Sequence, residues 1–277
     1  MTNSEQAIET HWTVANLGDT LLATLQRLGK DINALTLADL APIDEFHTRG
    51  REATHELATH AGVRPAWHVL DVGSGLGGSA RYLAVEYGCQ VTGIDLTHVY
   101  CDVATMLSQR LDLSSRTVFH QGSALALPYA DATFDLVWTE HAQMNIADKE
   151  GLYTEMARVL KPGGRLALHD ILQGPGGAVY FPVPWAREPS MSHLIAPEAL
   201  GVLLASRGFR VLHWHDVTQE ALVLVRRRVA QVKASGPPPL GTHLLQGADA
   251  SIKLENQGRN LEEGRMVLLQ AVLEKTC

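Results

Sequence analysis

The chain has 277 residues, 45% of them hydrophobic and 19% charged, which is the composition of a folded globular protein and excludes wholesale disorder. Its formal charge of −7 argues against nucleic acid or an anionic membrane surface as the main partner. The short basic run Arg226-Arg227-Arg228 reads as a solvated helix face. Cys89, Cys101 and Cys277 have no CxxC spacing and form no disulfide framework; Cys89 reads as a buried small hydrophobe and Cys277 as exposed. The polar N-terminus has no signal-like apolar stretch, and no run approaches the roughly 18 apolar residues of a membrane span, so a cytoplasmic protein is expected.

In chain order, residues 1–16 have weak periodicity and are expected to fray. Leu17, Leu21, Leu22, Leu25 and Leu28 then recur at helical spacing. A second helix is expected from Asp44 to His60, before Pro65 breaks the pattern. From Trp67 to Val217 strand-like runs (WHVLDVG, CQVTGID, TVFHQG, FDLVWTE, GRLALHDIL, FRVLHWHDV) alternate with helical stretches at 78–87, 98–111, 149–160 and 197–207. Lys161-Pro162-Gly163-Gly164 reads as a stop-and-turn before a strand. Short apolar strands alternating with helices predict a doubly wound, mostly parallel α/β sheet. Beyond it, 219–235 is helical, SGPPPLG (235–241) is a stiff loop and 242–265 is ambiguous. Met266–Leu273 is an apolar run that fits a final buried strand, with a buried helix as the alternative.

Two motifs carry chemistry. In VLDVGSGLGGSARYLA (69–84) an apolar strand ends in Asp71, and Gly73, Gly75, Gly77 and Gly78 turn the chain into a helix. Glycines there let a ligand approach the backbone, and the helix N-terminus offers unpaired N–H groups. In CQVTGIDLT, Asp95 ends the next strand about 20 residues beyond the glycine turn, where a carboxylate can accept from ribose hydroxyls; Leu96 can pack on an adenine face. These features serve a nicotinamide-dependent oxidoreductase as well as other nucleotide-binding enzymes.

The order VLDVGSGLGG, GIDLT, LPYADATFDLVW and ARVLKPGGRL resembles the class I S-adenosylmethionine-dependent methyltransferases, and within them the ubiquinone-biosynthesis, sarcosine/dimethylglycine and tocopherol methyltransferase group. The resemblance covers about residues 44–215. It implies a Rossmann-like methyltransferase fold with a seven-stranded sheet, S-adenosyl-L-methionine as cofactor and S-adenosyl-L-homocysteine as product. It implies that Asp71, Gly73, Ser74 and Gly75 line the methionine part, that Asp95 holds the ribose, that Leu96, Ser123 and Ala124 surround adenine, and that Glu140 lies near the methionine end through its backbone. The sequence departs from the group at Ser123, where Asp is usual. By the same resemblance 44–58 is a lid element, with His47, Arg49 and Gly50 near the site.

Acceptor chemistry belongs outside the carboxyl ends of the strands. That places His141, Gln143, Met144, Asn145, His169 and Asp170 there, with Tyr180, Phe181, Trp185 and Arg187 on the loop 176–190. His47, Asn145, Tyr180, Trp185 and Arg187 are the expected acceptor contacts, and His141 is the candidate general base, since a neutral imidazole works near pH 7. No metal site is expected: His11, His55–His60 and His213–His215 lack a clustered third ligand. The expected organisation is a lid (1–62), a cofactor-binding core (63–217), a helical cap (218–265) and a last core strand (266–277). The partner is a small-molecule acceptor, with an amine of the sarcosine/dimethylglycine type first. O- or C-methylation in secondary metabolism and a cofactor-binding homologue with another activity are the alternatives. The oligomeric state is open, a homodimer included.

Overall fold

The computed structural model describes residues 3–276, so Cys277 lies outside the described residues. Four helices come first: α1 (Asn3–Trp12), α2 (Leu17–Arg27), α3 (Leu37–Asp44) and α4 (Arg51–Ala61). The alternating region follows as β1 (His68–Val72), α5 (Gly78–Glu86), β2 (Gln90–Asp95), α6 (His98–Arg110), β3 (Thr117–Gln121), β4 (Phe134–Glu140), α7 (Lys149–Val159), β5 (Leu160–Gln173), α8 (Pro197–Ser206) and β6 (Phe209–Asp216). Three more helices, α9 (Thr218–Ser235), α10 (His243–Gln246) and α11 (Ala250–Glu262), separate β6 from β7 (Met266–Lys275).

The seven strands form one sheet in the order β3-β2-β1-β4-β5-β7-β6, parallel except for β7, which runs against both neighbours. β1 is buried on both faces and pairs with β2 (Val69 opposite Val91) and with β4 (Val69 opposite Leu136). The chain winds outward from β1 to β3, then crosses back to β4 on the other side of β1. That reversal opens a crevice at the carboxyl ends of β1, β2 and β4, where such folds place ligands. Among the described residues no helix is long and apolar enough to cross a membrane.

Four expectations change. Residues 3–12 are helical because α1 has partners: Trp12 packs edge-on against Phe46 at 5.3 Å and lies 6.5 Å from Tyr100. The helix expected over 44–60 begins only at Arg51, after a separate earlier helix, α3. α3 starts at a capping box made by Thr36 and Asp39 and ends at Asp44; residues 45–50 then leave the helical path, with Arg49 and Gly50 at φ of 74° and 55°, before α4 begins. Lys161–Gly164 does not precede β5 but lies inside it, as a register shift against β4. Residues 242–265 form α10 and α11. The run at 266–273 is a strand, held between β5 and β6, which explains why both its faces are apolar.

The N-terminal and C-terminal additions meet over the crevice. Leu17, Leu21 and Leu25 of α2 are buried together with Leu40, Tyr100 and Leu107, and the same apolar cluster takes in Leu240 and Leu245 from the far end of the chain. Each fully buried leucine contributes roughly 1.5–3 kcal/mol, which fixes the additions to the sheet.

Candidate active site

β1 delivers Asp71, β2 delivers Asp95 and β4 delivers Glu140 to one end of the sheet. The turn after β1 passes through Gly73, Gly75 and Gly77, all at positive φ. At Gly75 an added Cβ would meet nothing within 4 Å, so the backbone here is open to a ligand. Gly78 serves packing instead: a Cβ would lie 2.5 Å from the Asp44 carbonyl, so glycine lets α3 cross the start of α5.

Asp95 is held by two backbone donors, the Gly75 N–H at 2.9 Å and the Thr97 N–H at 2.9 Å, which tie β2 to the glycine turn. Asp71 is buried, and its Oδ2 has no hydrogen-bond partner. Burial, with the charges of Glu140 and Asp95 added, drives its pKa well above the ordinary carboxylate range. A buried carboxylate in that position fits a cation.

Glu140 is the centre of a polar network. Its carboxylate accepts from Ser79 Oγ at 2.5 Å, Trp138 Nε1 at 2.9 Å and Thr54 Oγ1 at 3.3 Å. His47 Nε2 stands 3.2 Å from Glu45 and 3.6 Å from Glu140. Burial alone would lower the His47 pKa, but Glu140 and Glu45 raise it to about 9, so this imidazole is cationic at neutral pH. Glu140 thus has a side-chain role that the expected backbone contact did not include.

His141 follows β4 at φ 51°, an unusual conformation for a histidine, and its N–H donates to the His169 carbonyl at 2.9 Å. Its Nε2 is buried without a partner. Burial and the neighbouring His169 and His47 hold its pKa well below the usual value, so the ring is neutral. His169 lies 5.1 Å away, ring to ring, and its Nε2–H donates to the Thr48 carbonyl at 2.9 Å.

A cavity of about 1000 Å³ joins these groups. Its wall includes all nine expected cofactor contacts: Asp71, Gly73, Ser74, Gly75, Asp95, Leu96, Ser123, Ala124 and Glu140. It also includes His141, and His47, Asn145 and Trp185 among the expected acceptor contacts. The side chains of the last two are engaged elsewhere. The Asn145 amide donates to the carbonyls of Trp185 and Met191, both at 2.9 Å, and Trp185 Nε1 donates to Ser192 at 3.0 Å. Tyr180 and Arg187 are not part of the wall. Tyr180 is sandwiched between the Arg259 and Arg265 guanidinium groups, at 3.6 and 4.0 Å, with its backbone clamped by Asn260, and Arg187 is exposed. Val183, Trp185 and Ala186 anchor the loop in an apolar cluster with Met144 and Val225, which leaves those two side chains outside the cavity.

Other wall residues had no sequence motif to reveal them. Glu5 of α1 accepts from Ser123 Oγ, and Glu9 accepts from Gln121 at 3.1 Å, so α1 covers the edge of the cavity. The basic run contributes as well: Arg227 and Arg228 line the far end with Leu224, Gln231 and Leu254.

The sheet order with its reversed last strand, and an acid-ended β1 opening on a glycine turn, define the fold of the class I methyltransferases. Residues 70–168 match the methyltransferase domain family. Methyltransferase GfsG of Streptomyces halstedii is 37% identical over 134 residues, 48% of each chain. The glycine/sarcosine/dimethylglycine N-methyltransferase of Actinopolyspora halophila is 33% identical over 129 residues, 47% of this chain and 23% of that one. The chain spans about half, or less, of the length of curated relatives that it matches. In overall shape it resembles the [4+2]-cyclase SpnF, with a TM-score of 0.71 over 99% of this chain and 97% of that one, at 23% identity.

Proposed function

We propose that the protein is an S-adenosylmethionine-dependent methyltransferase acting on a small molecule. The observation that carries this reading is the buried Asp71 carboxylate, its Oδ2 without a partner, beside the open Gly75 turn, inside the segment that matches the methyltransferase domain family. Asp71 would hold the cofactor's ammonium group, Asp95 its ribose hydroxyls, and Leu96, Ser123 and Ala124 its adenine. Bound, the cofactor supplies a methyl group on a sulfonium, open to in-line attack. Residues 1–62 act as a lid and 218–265 as a cap.

His141 is the general base. His141 lines the same cavity as the cofactor residues, its Nε2 has no hydrogen-bond partner, and a neutral ring accepts the proton of an acceptor hydroxyl. The cavity supports an acceptor larger than a simple amine, because Met144, Ile171, Trp185, Leu224 and Leu254 add a broad apolar wall. Methylation at oxygen or carbon of such a molecule is therefore the first reading. An amine acceptor is the second, supported by the N-methyltransferase relative.

The test is transfer of an isotope-labelled methyl group to panels of phenols, hydroxylated polyketides and small amines, read by mass spectrometry, for the natural chain and His141→Ala. Labelled hydroxyl product that falls about 10²- to 10⁴-fold in the variant, at unchanged S-adenosylhomocysteine affinity, supports the proposal. Product with undiminished turnover in His141→Ala removes the base. A chain that binds neither S-adenosylmethionine nor S-adenosylhomocysteine refutes the methyltransferase reading.

A further inference from the structure

The four cations of α9 divide into two kinds. Arg226 is paired with Glu262 of α11, and Lys233 lies 3.3 Å from Glu255 of the same helix. Arg227 and Arg228 line the cavity instead, and among the described residues neither is paired with a carboxylate. The nearest polar contact of Arg228 is neutral, a 2.9 Å hydrogen bond to Thr242 Oγ1. The protein around the Arg228 head group disfavours its charge, and no anion compensates. Both side chains reach solvent, so what marks them is position: in a chain of net charge −7, the two cations of α9 that lack acids are the two that line the cavity.

The surroundings point the same way. His243 Nδ1 is buried without a hydrogen-bond partner and sits in the same wall, close enough for Arg228 to lower its pKa together with burial. Gln231 and Gln246 add neutral donors there. Between this corner and His141 the wall turns apolar, through Leu254, Val225, Trp185 and Met144.

We propose that this corner is an oxyanion subsite, and that the acceptor is an amphipathic molecule with an apolar body whose carboxylate or phosphate group binds Arg227 and Arg228. Planar guanidinium groups suit both oxyanions through paired N–H donors. This rests on the reading of the cavity as cofactor and acceptor site.

The test is calorimetric titration of the full chain, saturated with S-adenosylhomocysteine, with three ten-carbon probes: decanoate, decyl phosphate and decan-1-ol. Both anions, or one of them, should bind at least about ten-fold more tightly than the alcohol, and the tighter anion identifies the group. Arg227→Gln and Arg228→Gln should each weaken the anion about 5- to 10-fold, the scale of a lost charge-assisted contact, and leave the alcohol and S-adenosylhomocysteine unchanged. Unchanged cofactor-product affinity also shows that the variants are folded. Equal binding of alcohol and anions, or full anion affinity in the double variant, overturns the subsite. If S-adenosylhomocysteine fails to bind while the anion preference and its loss in the variants persist, the subsite stands and the methyltransferase reading falls.

Discussion

At the scale of single residues, the floor of the site sets binding against stability. Asp71 is buried beside Glu140 and Asp95 with one oxygen unpartnered, so its charge destabilises the empty protein. Asp71→Asn should therefore raise the melting temperature while weakening S-adenosylhomocysteine by about 1.5–3 kcal/mol, the scale of a hydrogen bond to a charged group. Thermal melts and calorimetry on the same preparation check both halves; a variant that loses stability without losing affinity removes Asp71 from the cofactor. His47 gives the opposite sign. Its folded pKa is raised to about 9 from an ordinary 6.5, so its contribution is complete below pH 6.5 and disappears as pH rises through 9. The natural chain should lose melting temperature between pH 7 and 10 more steeply than His47→Gln, and parallel curves would show that the Glu45–His47–Glu140 contacts do not stabilise the fold.

At the scale of elements, α3 is joined to α5 by a buried ion pair. Asp44 at the end of α3 accepts from Arg81 of α5 at 2.6 Å, with neither side chain accessible. Burial raises the Asp44 pKa and Arg81 pulls it back, so the pair is needed to keep both groups inside. Asp44→Ala leaves a buried guanidinium and should cost about 3–5 kcal/mol in urea unfolding. A cost under about 1 kcal/mol would mean that water reaches Arg81 in solution. Because the same crossing needs Gly78 without a side chain, the glycine turn has two tasks: Gly75 leaves room for a ligand, and Gly78 lets α3 cross the start of α5.

At the scale of the molecule, the core was legible and the covering was not. The strands from 67 to 217 declare themselves through apolar runs, and Asp71 and Asp95 through their fixed places after β1 and β2. Those relations are local, and local patterns survive in sequence. Residues 45–50 looked helical because His47 and Arg49 sit in a polar stretch with good helix formers; only partners far along the chain, such as Glu140, His169 and Gln257, decide otherwise. Arg227 and Arg228 are exposed, as the charge run suggests, but the run says nothing about which members also line a cavity and which find acids on a neighbouring helix. Tyr180 and Arg187 looked like pocket residues because aromatics and arginine favour pockets, yet Arg259, Arg265 and Asn260 claim Tyr180 from outside the loop.

The placement of α9, α10 and α11 between β6 and β7 has one more implication. Both flanking strands are locked in antiparallel pairs, and the three helices meet the rest of the protein mainly through side chains, while Asp71, Asp95 and Glu140 all stand on other elements. Part of the cavity wall, Leu224, Arg227, Arg228 and Leu254, is therefore carried on a stretch of chain apart from the strands that bear the acids. Descendants of such a chain can exchange that stretch for another and inherit a new clientele, with the old reagent still held in its cleft.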